Sequence, residues 1–253
     1  MLSLLIAAAV AAAPPAAPPN QEAHSVRGRK CAALADSNPT AAIDEAQAWA
    51  AAGGGMAARQ CLGIAQSTLE QWPAAAATFE GAAKDAQIAT DPMAVVLWMQ
   101  AGNAALAGDD PARARAAFDR ALALPGLSDE MKGEVHLDRA RAGVAVNDLP
   151  GAKGDLAEAT RLVPRDALGW LLSANLARRM KDLPLAFSAI RQAAALSPDD
   201  PSIAYEAGNI AAASGNMADA KAAWTRAATA APDSNAGKAA ALALKGGEAA
   251  SPQ

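Results

Sequence analysis

Five times along this chain a small residue is followed twelve positions later by an alanine: Gly63 and Ala75, Gly102 and Ala114, Ala140 and Ala152, Ala174 and Ala186, Gly208 and Ala220. Four residues beyond each second member stands a large apolar side chain, at Phe79, Phe118, Leu156, Ile190 and Trp224. Three further on comes another alanine, at Ala82, Ala121, Ala159, Ala193 and Ala227. Proline closes the last three units at Pro164, Pro198 and Pro232, 34 residues apart each time. A fixed period of this length belongs to a repeat architecture, in which each unit buries its apolar face only against its neighbours.

The pattern has a physical reading as a helical hairpin. Two antiparallel helices approach closely only where both carry small side chains, and the large residue then fills the gap beside the crossing. Proline ends each unit because it cannot continue the second helix yet suits the start of the next. Gly108-Asp109-Asp110-Pro111, Asn147-Asp148-Leu149-Pro150 and Gly215-Asn216-Met217 supply turn residues between the paired helices. Composition agrees: 52% of residues are apolar, mostly alanine, and only 4% are aromatic, which favours helix over strand.

The small residue, the Gly-Asn-x-x-x-Ala at Gly102 and Gly208, then an aromatic, an alanine and a proline, resemble the tetratricopeptide repeat over residues 56–232. Trp98 and Trp170 stand at the family's early helix position, and Trp72, Leu149, Leu183 and Met217 at its bulky place after the turn. The resemblance, to the exported bacterial type, implies an all-α fold: an α-solenoid, a right-handed superhelix of antiparallel helix pairs. Units starting near Met56, Val95, Gly133, Ala167 and Pro201 are 39, 38, 34 and 34 residues apart, so inserts are expected around Ala86 to Thr90 and Gly126 to Glu130. Residues 27–55 read as a degenerate N-terminal pair, broken at Ser37-Asn38-Pro39 and closed by Gly53-Gly54-Gly55. Residues 233–245 read as a C-terminal capping helix, and 246–253 as a flexible tail.

Three further expectations rest on that architecture. Cys31 and Cys61, the two cysteines, fall in first helices that lie side by side, which makes them a disulfide in an oxidising compartment or else two buried free thiols. The first helix of each unit lines the inner surface, where Asn103, Arg141, Asn175 and Asn209 take equivalent places. Asparagines there tend in the family to hold an extended peptide, because one amide both donates to and accepts from a backbone. Arg141, Arg178 and Arg179 are placed to meet a carboxylate, and Tyr205 offers apolar contact. The bland alternative is that these polar residues only keep a half-exposed face soluble.

No catalytic constellation appears. His24 lies in the presumed linker and His136 takes the place of tryptophan in neighbouring units, as a packed polar residue. Asp109-Asp110, Asp129-Glu130 and Asp199-Asp200 sit at turns or helix starts, where carboxylates cap backbone amides, so no metal or other cofactor is expected. The charge of -4, without a basic run, argues against nucleic acid. Residues 1–13 form an apolar run too short to span a membrane, which reads as a signal peptide, with 14–26 as an Ala/Pro-rich linker; a disordered arm is the alternative. The resulting expectation is a periplasmic or secreted, non-enzymatic scaffold, a monomer or weak oligomer, holding a peptide segment of another protein and not inserted in a membrane once the signal is cleaved. The competing expectation is a structural subunit of an envelope complex that uses its convex or end surfaces.

Overall fold

A computed structural model describes residues 19–249. The expected signal peptide, the first part of the linker and the end of the tail lie outside the described residues. Thirteen helices follow one another with no strand among the described residues: α1 Pro19–Ser37, α2 Pro39–Ala51, α3 Gly55–Thr68, α4 Trp72–Ile88, α5 Met93–Ala107, α6 Pro111–Leu122, α7 Asp129–Ala145, α8 Leu149–Leu162, α9 Ala167–Arg179, α10 Leu183–Leu196, α11 Pro201–Ala213, α12 Met217–Ala230 and α13 Asn235–Ala249. Each helix packs on its predecessor, so α3 to α12 form five consecutive hairpins and the array is an all-helical solenoid, as the period implies.

The hairpins are held by a contact that refines the expected crossing. The ring sixteen residues on covers the glycine itself: a methyl group added to Gly102 would come within 2.4 Å of Phe118, one on Gly63 within 2.6 Å of Phe79, and one on Gly208 within 2.4 Å of Trp224. Where the later residue is aliphatic, at Leu156 and Ile190, the earlier one is alanine, Ala140 and Ala174. A flat ring needs the space that a Cβ would occupy, whereas a branched aliphatic chain leaves room for it.

The turns repeat as faithfully as the core. In five of the six tight turns that follow α3, α4, α5, α7, α9 and α11, a non-glycine residue takes the left-handed conformation, at Glu70, Thr90, Asp109, Asn147 and Lys181, and Gly215 takes it in the sixth. The next residue donates its amide five positions back, as in Asp110 to Ala105 at 2.9 Å and Asp182 to Ala177 at 2.8 Å. That same residue then caps the following helix through its side chain, at Asp110, Asp148, Asp182 and Asn216. Of the acidic pairs, Asp110 and Asp200 are N-caps, and Asp129 and Glu130 occupy the first turn of α7 behind the Ser128 cap.

Two boundaries differ from expectation, and the two expected inserts take different forms. α1 is already helical at Pro19, the first described residue, inside the presumed linker. α13 runs through Gly246 and Gly247 to Ala249, into the presumed tail; about 1 kcal/mol per glycine does not stop a helix already nucleated. The first insert lengthens α4, which has 17 residues where α8, α10 and α12 each have 14, and the second forms the link between α6 and α7.

Candidate functional site

First helices lie directly beside one another at α1 and α3, α5 and α7, α9 and α11, whereas no two second helices pack to a comparable extent. The first helices therefore form the inner layer. Its polar residues are organised around two buried carboxylates that the sequence reading did not single out, Asp138 at 6% and Glu206 at 4% exposure.

Asp138 on α7 accepts from Nδ2 of Asn103 on α5 at 2.9 Å and from Nη1 of Arg141 at 3.0 Å. Glu206 on α11 accepts from Nδ2 of Asn175 on α9 at 3.2 Å, from Arg178 Nε and Nη2 at 2.6 and 3.1 Å, and from Nδ2 of Asn209 at 3.2 Å. Asn209 in turn accepts from the indole N–H of Trp224 at 3.0 Å. A carboxylate this buried is tolerated only when paired and fully hydrogen-bonded, and the amides and arginines supply that. The three asparagines and Arg178 thus have partners within the protein. Each asparagine amide nevertheless keeps one further N–H, and the side-chain oxygens of Asn103 and Asn175 remain open acceptors, in orientations set by the acids. Arg141 is half-exposed, Arg179 is exposed, and Tyr205 on α11 is half-buried against the cluster that holds Trp224 and Ala240.

Asp138 and Glu206 share a repeat position, two residues before the small one, with Cys61, Gln100 and Leu172. That place turns out to be the seam to the preceding first helix. Cys61 makes a disulfide to Cys31, with Cα atoms 5.9 Å apart, so the pairing holds and both sulfurs are buried. Gln100 accepts from Gln60 at 3.1 Å. The signal that could have revealed the seam was an acid two residues before the small one with an amide about one repeat earlier. A cleft of about 800 Å³ opens near the disulfide between α1, α3 and α5, with Gly53, Gly54 and Gly55 on its wall and Met56, Ile64 and Leu97 among its apolar residues.

His136 lies on the other side of α7. Its Nδ1 is 2.8 Å from Asp155 on α8, which Arg139 grips through Nε at 3.0 Å and Nη2 at 2.5 Å while also reaching Asp119 on α6 at 2.7 Å. Burial alone pushes the Asp155 carboxyl up, but hydrogen bonds from His136 and Arg139 and their charges outweigh it and hold the group below its ordinary value. This cluster ties three helices together, in keeping with His136 as a packed polar residue. Among the described residues there is no group of three or more side chains suited to a metal ion, and no helix long and apolar enough to cross a membrane.

No protein-family model matches the sequence, and no curated protein matches it. Solved structures do. PilW, a type IV pilus biogenesis factor, is similar with a TM-score of 0.71 at 15% identity, over 86% of this chain and 98% of that one. PilF of Pseudomonas aeruginosa gives 0.69 at 14% identity, over 89% and 100%. YrrB, described as a TPR protein with an unusual peptide-binding site, gives 0.54 at 18% identity, over 73% and 91%. The chain has the tetratricopeptide-repeat fold.

Proposed function

We propose that this protein is a non-enzymatic scaffold that holds an extended segment of a partner protein along its inner face, after export to the periplasm. The observation that carries the reading is the row of half-exposed amides and guanidiniums on the first helices, oriented by buried acids and covered by no other described part of the chain. Groups held in place before binding lose less entropy when they bind, so such a row suits recognition of a backbone. The occurrence of a peptide-binding site on the same fold in YrrB supports it. The disulfide supports an oxidising compartment.

Photo-cross-linking in cells tests the proposal, with a photoreactive phenylalanine analogue in place of inner-face Tyr205 or of outer-face Ser188. A discrete protein adduct from position 205 and none from 188, recovered in the periplasmic fraction, is the expected result. Adducts from 188 alone would refute groove binding, and recovery only in the cytoplasmic fraction would refute export. One observation favours use of an end surface instead: Leu242 on the terminal helix α13 is 69% exposed. Light scattering separates the two, since end-to-end association gives a defined oligomer.

A further inference from the structure

Four of the five seam positions join their helix to the one before, through a disulfide at Cys61, an amide pair at Gln100, and buried acids at Asp138 and Glu206. The fifth is Leu172 on α9, and among the described residues no polar link joins α9 to α7 there. Two clefts occupy this seam and meet at Arg141. One, of about 150 Å³, is floored by Val144, Leu172 and Leu176, with Arg141 and Asn175 at its mouth. The other, of about 370 Å³, runs past Leu137 and Leu168 to Glu130, Glu134 and Asp166. Leu168 is 49% exposed, a large apolar side chain on a face that also leaves Leu172 only half-buried.

The two helices run in the same direction, so the seam has a polarity. Glu130, Glu134 and Asp166 stand at one end of it, Leu137 and Leu168 follow, Arg141 comes next, and Val144, Leu172 and Leu176 lie beyond. Neither Glu134 nor Arg179 has an ion-pair partner among the described residues. Seven residues of α7 separate Glu134 from Arg141, about 10 Å along the axis, and eleven separate Glu130 from Arg141, about 16 Å. Residues i, i+2 and i+4 of an extended chain face the same way and span about 13 Å, which falls between these limits.

We infer that the α7/α9 seam reads the bound segment, taking an extended stretch in which a leucine-sized apolar side chain is flanked, two residues away on each side, by one basic and one acidic residue. The basic residue meets the Glu134 end, the apolar one packs on Leu137 and Leu168, and the acidic one meets Arg141. The bound segment thereby completes the one seam that has no link of its own. This rests on the groove reading above and specifies what the groove selects.

The test uses fluorescein-labelled peptides with the core Lys-Ala-Leu-Ala-Glu and the reverse order Glu-Ala-Leu-Ala-Lys, each paired with a control bearing serine for leucine, titrated against the full chain by anisotropy. One order should bind about 10- to 100-fold tighter than its serine control, as expected for burial of a leucine side chain. Leu168→Glu, at a half-exposed position outside the core, should abolish that binding. Glu134→Lys, at an exposed position that leaves the core untouched, should weaken it about threefold, with recovery when the peptide's lysine is replaced by glutamate. If neither order exceeds its serine control, or if binding is indifferent to both protein variants, the inference is overturned. A Tyr205 cross-link obtained alongside such a failure would leave groove binding standing and remove only the selectivity assigned to this seam.

Discussion

Replacing Gly102 with alanine isolates the contact on which the hairpin depends. In an exposed helix the change would stabilise by about 1 kcal/mol through helix propensity. Here the new methyl would sit 2.4 Å from Cε1 of Phe118, and Phe118 is 0% exposed, so the ring has no free volume into which to turn. Overpacking of this kind costs about 1 to 3 kcal/mol and outweighs the propensity gain, leaving a net loss of about 1 kcal/mol. Phe118→Leu alone should cost about 1 to 2 kcal/mol through the space it vacates. The double variant recreates the pairing seen at Ala140 with Leu156, so it should be no less stable than Phe118→Leu alone, a coupling of at least about 1 kcal/mol. Thermal melting followed by far-ultraviolet circular dichroism resolves this, because 1 kcal/mol corresponds to about 2–4 °C in a chain of this size. Amide exchange in α5 and α6 localises the effect. Losses that simply add in the double variant would refute the account of why aromatic units carry glycine.

Thr90→Gly should stabilise by about 0.5 to 1 kcal/mol, because Thr90 sits at φ 54, where a β-branched side chain is strained and glycine is not; an unchanged or lower melting temperature would count against it. Reducing the Cys31–Cys61 disulfide releases a loop of 30 residues and should lower stability by about 3 to 4 kcal/mol, read as lost amide protection in α1 and α2 with the later repeats unaffected. Because the folded pKa of Asp155 lies below its unfolded value, its contribution is complete above about pH 4 and is lost as pH falls further; Asp155→Asn should flatten the acid limb of a stability–pH curve, and a limb of unchanged steepness would exclude this cluster as its source.

How far the sequence could be read depended on how local each relation is. The twelve- and sixteen-residue spacings lie within one hairpin, so side-chain volume and turn chemistry alone announce it, and Gly102 with Phe118 is visible in the letters. The expected inner-face places of Asn103, Arg141, Asn175, Arg178, Arg179, Tyr205 and Asn209 came from the resemblance to the tetratricopeptide repeat. Their partners did not. Glu206 stands among mostly apolar neighbours in the chain and Asp138 beside His136, Arg139 and Arg141, and nothing local distinguishes a solvated acid from a buried one.

The sequence by itself therefore determined the repeat, the helix pairs and the capped turns, because each is decided by residues in contact along one or two helices. Beyond the expected cysteine pair, only the stacking decided which inner-face residues face one another across a seam: Asn103 with Asp138, Asn175 with Glu206, and Leu172 with no polar partner. Those pairs are about one repeat apart, and whether they meet depends on the spacing and tilt of neighbouring hairpins, a property of the array that no single unit contains.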